Sequence, residues 1–203
     1  LKMTQEFLDT NDSLVEEDQR SFAIYRQQPK RTQCKICEAP LTEIIFCKHE
    51  IDYFLCSRCG HINGGHQDTE TYCSYIYHGE EYVKGYLNTN IEAYKERIKE
   101  IYQPKVSFLF DSINEQGDCP SEMVFADIGA GSGYFVGALL NANVSKVQGF
   151  DVSKSQVELA NSMLNGEYIN HSKLEDIVRI VSTVDANVIS MIGVLEHLQE
   201  LRK

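Results

Sequence analysis

Positive charge is what this chain is short of. Its 203 residues carry 19 Lys and Arg against 30 Asp and Glu, a net charge of −11. So acidic a surface repels phosphates and argues against a reader of DNA or RNA. Long apolar runs are missing as well. None approaches the length that crosses a bilayer, and no basic-then-apolar signal opens the sequence. The composition therefore predicts a soluble, cytoplasmic protein with no membrane partner. Repeats are absent apart from two Cys-x-x-Cys knuckles, and no tract is of low complexity. The length suffices for one fair core and a small module.

The module is read from the cysteines. Cys34-Lys-Ile-Cys37 and Cys56-Ser-Arg-Cys59 are two knuckles separated by eighteen residues. This spacing predicts a structural Zn²⁺ site in which four thiolates close a tetrahedron and leave no position for water. Leu41–Cys47 and Ile51–Leu55 read as hairpin strands, and so short a module draws its stability from the metal. Disulfides are the alternative, disfavoured by the reducing compartment that the composition implies. Cys47, Cys73 and Cys119 lack pair spacing and read as plain thiols. His49, His61 and His66 read as polar loop residues, with His61 close enough to the second knuckle to be an alternative ligand.

The larger part is organised around Phe125-Ala-Asp-Ile-Gly-Ala-Gly-Ser-Gly-Tyr-Phe135. A short apolar strand, Met123 to Ala126, leads into a turn with glycine at 129, 131 and 133, where no Cβ blocks a ligand's approach. Asp127 stands just before the turn. Val147-Gln-Gly-Phe-Asp151 is a second strand ending in an acid able to accept ribose hydroxyl protons. The dinucleotide fingerprint G-x-G-x-x-G is not met, since the third glycine comes one residue early and Tyr134 takes its place. A P-loop is excluded because no Lys follows the glycines. An ordinary glycine-rich turn is the plain alternative.

The pattern D-x-G-x-G-x-G with Asp151 on the next strand resembles class I S-adenosylmethionine (SAM) methyltransferases. The resemblance implies an α/β fold with a Rossmann-like sheet. Gly129, Gly131 and Gly133 would pack against the methionine part of SAM, Asp151 would hold the ribose, and Asp127 would lie near the amino end. After a helix at Ser153–Leu164, Glu167–Ile169 reads as a third strand. In the following loop Leu174 and Glu175 are the candidates to cover adenine, a helix start being the competing reading. Asn187–Ile192 reads as a fourth strand, and its Met191 is counted with the cofactor contacts. Glu196 and His197 follow, where ligands of a parallel sheet bind. His197 is the candidate base and Glu196 its partner or a substrate ligand; a helix N-terminal turn with polar residues explains the pair equally well. A four-cysteine ribbon ahead of a SAM domain resembles the sugar C-methyltransferase type, which implies a nucleotide-sugar acceptor.

The expected layout is an acidic helical segment at 1–30, a zinc-ribbon module at 31–68, a helical linker at 69–118 and the SAM-binding domain at 119–203. Ser13 and Glu16 suggest a capping box for a helix over Asp12–Gln27. Tyrosines crowd Tyr72–Tyr86 and read as junction packing, with one or two free to face a sugar. Ile91–Tyr102 reads as an amphipathic helix carrying Arg97, and Pro104 restarts the chain into Lys105–Asn114. With Lys203 just beyond the fourth strand, the expectation is a truncated sheet of four strands in the order 3-2-1-4. Its open edge would favour self-association, and SAM would bind weakly or not at all. The rival functions are a non-catalytic binding module on a Rossmann-like scaffold, a protein or RNA methyltransferase, and a nicotinamide enzyme.

Overall fold

The computed structural model describes residues 5–78, 90–173, 176, 179 and 182–195. They belong to two compact units, the first made of residues 5–77 and the second of the described residues from 78 to 195. No helix among the described residues is long and apolar enough to cross a membrane.

The first unit opens with helix α1 (Gln5–Arg26). It starts well before Asp12, and Ser13 lies inside it rather than at its cap. No Gly or Pro interrupts residues 5 to 26, so nothing stops the helix from extending upstream. Three short strands follow: β1 (Glu43–Lys48), β2 (Ile51–Leu55) and β3 (Ile62–Gly64). They form an antiparallel sheet in the order β1-β2-β3, with a bulge in β1 between Ile44 and Phe46. The sequence pattern showed the hairpin but not β3, which has three residues and too little length for alternation to register. Helix α2 begins at Glu70 and ends at His78. Tyr25 of α1 is buried and donates its hydroxyl to the His66 carbonyl at 2.6 Å. Burial, with the Asp68 charge next, pushes that phenol up to about 12.

The second unit begins with helix α3 (Ile91–Arg97), capped by Asn90, whose side-chain oxygen accepts from the N–H groups of Glu92 and Ala93 at 3.0 Å each. A π-helical turn, Ile98–Tyr102, joins α3 to α4 (Gln103–Glu115). The break expected at Pro104 is instead this wide turn. Proline lacks the N–H that a regular helix needs and its ring crowds the preceding turn; the π turn relieves both. Then come β4 (Phe125–Ile128), α5 (Tyr134–Asn141), β5 (Val147–Asp151), α6 (Lys154–Leu164), β6 (Ile169–His171) and β7 (Val188–Ser190).

The four strands are parallel in the order β6-β5-β4-β7. Numbered within the sheet, this is the expected 3-2-1-4. Strand ends differ from the sequence pattern for local reasons. The Met123 N–H closes a 3₁₀ turn on Pro120, so β4 starts at Phe125. The N–H groups of Tyr168 and Ile169 donate to the Asn161 side chain, so β6 starts at Ile169 and not at Glu167.

Alternation along β4 and β5 fixes the two faces of the sheet. Phe125 and Val147 point into the larger core with Val136, Leu139 and Ile98. Ala126, Ile128 and Phe150 point into a smaller cluster with Val184, Ala186 and Met191. By the same parity Asp127 and Asp151 lie on the larger core's face, at the strands' carboxyl ends.

Candidate functional site

Two clusters of chemistry stand out, one in each unit. In the first unit the knuckles are built alike. The Cys34 carbonyl accepts from Glu38 N–H at 2.9 Å while Cys34 N–H donates to Ala39 at 2.8 Å. The Cys56 carbonyl accepts from Gly60 N–H at 2.8 Å while Cys56 N–H donates to His61 at 2.9 Å. Glu38 and Gly60 both take positive φ, 61° and 73°, to close these turns. Each knuckle thereby presents two sulfurs on one side.

The sulfurs of Cys34, Cys37, Cys56 and Cys59 all lie within 4.8 Å of one another. Cys37 and Cys56 approach to 3.4 Å, Cys34 and Cys59 to 3.6 Å. A tetrahedral zinc–thiolate set with bonds of about 2.3 Å has edges of about 3.8 Å. The donor set and its size thus fit a zinc ion. Burial raises the Cys34 thiol, but the N–H groups of Cys37 and Ile36 and the Asn63 amide outweigh it and bring it down to about 6. The Cys59 N–H, foremost, holds Cys56 low. The His61 N–H lowers Cys59, yet burial and three neighbouring sulfurs push it up to about 12. Four thiolates side by side need a cation to be stable together. His61 is not among the clustered ligands.

Asn63 escaped the sequence reading. It is 2 % exposed. Its oxygen accepts from Lys35 N–H at 2.9 Å, and its nitrogen donates to the His61 carbonyl at 3.1 Å and to the Cys34 sulfur at 3.6 Å. A polar residue between Ile62 and Gly64 in so short a strand gives no signal by itself.

In the second unit the glycine elbow leaves β4 and starts α5. Gly129, Gly131 and Gly133 have φ of 69°, 53° and 75°. Gly129 and Ala130 both donate to the Phe150 carbonyl, at 2.8 and 3.1 Å, which pins the elbow to β5. A Cβ on Gly133 would sit 3.0 Å from Ala160 Cβ and 3.1 Å from Leu164 Cδ1, so glycine there also lets α6 pack closely. The Val194 side chain lies over Gly129.

Asp151 turns toward the elbow. One carboxylate oxygen accepts from Gly131 N–H at 2.7 Å, the other from Ser153 N–H at 2.8 Å. Asp127 is 3 % exposed and accepts from the Ser190 hydroxyl at 2.6 Å. Burial pushes the Asp127 carboxyl up to about 7; Ser190 opposes the rise and Asp151 adds to it. Tyr94, also buried, donates its hydroxyl to the Ser132 carbonyl at 2.8 Å and so braces the elbow from α3. Neither Ser190 nor Tyr94 was legible as a site residue, because both act across elements far apart in sequence.

The structure therefore brings together Asp127, Gly129, Gly131, Gly133 and Asp151. Met191 lies against Ala126, Ile128 and Phe150 in the smaller cluster. Leu174, Glu175, Glu196 and His197 lie outside the described residues. Arg97 places its guanidinium 5.0 Å from the centre of the Tyr134 ring, a cation–π contact.

Fold and sites define an α/β protein with a parallel four-stranded sheet and a four-cysteine cluster able to hold zinc. No protein-family model and no curated protein matches the chain.

Proposed function

We propose that this protein is a SAM-dependent methyltransferase acting on a small acceptor of the nucleotide-sugar kind, with a structural Zn²⁺ in its first unit. The observation that carries the reading is the bond from Gly131 N–H to Asp151. In a dinucleotide site the glycine-turn N–H groups face a pyrophosphate. Here the N–H of Gly131 is taken by a carboxylate at 2.7 Å, which places negative charge where a phosphate would sit. Asp127 adds a second acid on the same face. Such a rim favours a ligand with positive groups and neutral hydroxyls, as SAM has, over an anionic one.

Asp151 fits the ribose. Each of its oxygens has one backbone donor and a further lone pair able to accept a hydroxyl proton. Bound SAM would supply a methyl group on a sulfonium. The glycines let the chain approach the ligand, Asp127 favours its ammonium once the carboxyl has given up its proton, and the acceptor is held in line while a base takes its proton. His197 remains the candidate base, with Glu196 beside it in sequence. In the first unit, Cys34, Cys37, Cys56 and Cys59 would fill all four positions of the metal, which leaves it no catalytic role.

A titration of isotope-labelled protein with SAM, followed by amide chemical shifts, tests this even for weak binding. Shifts should concentrate at Gly129, Gly131, Gly133 and Asp151, and NADH should leave them unmoved. Equal shifts with NADH, or SAM-induced shifts that spare the elbow, would refute the reading.

A further inference from the structure

The amide of Asn63 touches both knuckles, and this gives it a place in the metal chemistry. Its orientation is set by its partners. Lys35 N–H is a donor and requires the oxygen, at 2.9 Å; the His61 carbonyl is an acceptor and requires the nitrogen, at 3.1 Å. The remaining N–H then points at the Cys34 sulfur, 3.6 Å away. Lys35 belongs to the first knuckle and His61 closes the second, so one side chain holds the two turns in register.

We propose that Asn63 is a positioning residue of the metal centre: its amide donates to the Cys34 thiolate and sets that sulfur's donor strength and place in the tetrahedron. The inference rests on the four-thiolate reading of the cluster. A hydrogen bond to sulfur draws electron density from it and steadies its charge. Groups bonded to metal ligands in this way change metal affinity by about 10–100-fold when removed. At 2 % exposure, water does not reach the amide to take its place. Backbone donors hold Cys34 in common with any knuckle, as the Ile36 N–H does at 3.4 Å. Asn63 adds a side-chain N–H donor to these.

The test replaces zinc with the spin-half isotope of cadmium in the full chain. Coupling should pass from the metal through the Cys34 sulfur to one side-chain amide proton of Asn63, alongside couplings to knuckle backbone protons. Backbone couplings without one to Asn63 would overturn the inference and leave the metal site standing. No uptake of cadmium or zinc would overturn both. Asn63→Asp adds a second readout, since it keeps the acceptor for Lys35 and loses the donor to sulfur. It should bind zinc about 10-fold or more weakly in chelator competition, and shift the thiolate-to-metal band of the cobalt-loaded protein. Affinity within twofold of the parent with an unchanged band would also overturn it.

Discussion

Burial of Asp127 pushes its carboxyl up to about 7, against about 3.9 for an exposed aspartate. The folded chain therefore holds a proton, between about pH 4 and pH 7, that the unfolded chain releases. Its contribution to stability is full below about pH 4 and is lost as the pH rises through 7. Urea unfolding of the second unit should show a loss on the order of a few kcal/mol from this group between about pH 4 and 7. Asp127→Asn keeps an oxygen for the Ser190 hydroxyl and should flatten that part of the slope; an unchanged slope in the variant would contradict the assignment. Gly60 offers a second test at this scale. Its φ is 73° and a Cβ there would meet nothing within 4 Å, so Gly60→Ala isolates the conformational cost. That cost should be about 1 kcal/mol, visible as a lower melting temperature of the zinc-loaded protein. No change would mean that the second knuckle tolerates a relaxed turn.

Elements are held in register by side chains that replace missing backbone partners. Asn161 of α6 donates to the Ile169 carbonyl at 2.8 Å and accepts from the N–H groups of Tyr168 and Ile169 at 3.0 and 2.9 Å. Helix and strand are thus tied by three bonds from one amide. Asn161→Ala should cost at least about 2 kcal/mol, because several backbone groups lose their partner at once. A urea midpoint shifted by less than the equivalent of about 0.5 kcal/mol would show that water substitutes for the amide. The periodic elements were legible in the sequence: β5 was expected at Val147–Asp151 and found there, and α6 starts one residue after its expected Ser153. The ends of β4 and β6 were not, because Pro120 and Asn161 set them through bonds that no periodicity reports. The π turn was hidden in the same way, since Pro104 signals a disturbance without saying which kind.

At the scale of the molecule the two units draw on different sources of stability. Among the described residues the buried apolar groups of the first are few: Tyr25, Ile51 and three of the cysteines. The second has a core of fifteen buried residues around α5 and the sheet, enough to hold without a metal. A strong chelator should therefore abolish hydrogen-exchange protection in β1–β3, while amides at Phe125, Val136 and Phe150 stay protected. Loss of protection in both units together would show that the sheet depends on the metal. Protection retained in both after metal removal would show that the hairpin and α1 suffice alone.

The elements and the identity of the reactive groups can be read from the order of the residues alone. Hydrophobic period marks a strand or a helix, glycine marks a turn no other residue enters easily, and two Cys-x-x-Cys pairs predict four sulfurs in one place. These signals are local, and local energetics make them. Which groups meet is a matter of the folded chain. It gave Gly131 N–H to Asp151, Ser190 to Asp127, Tyr94 to Ser132 and Asn63 to Cys34, across separations of 20 to 63 residues. Such partners are chosen by packing, which buries a polar group and then requires that something nearby satisfy it. No residue carries that requirement in its own name.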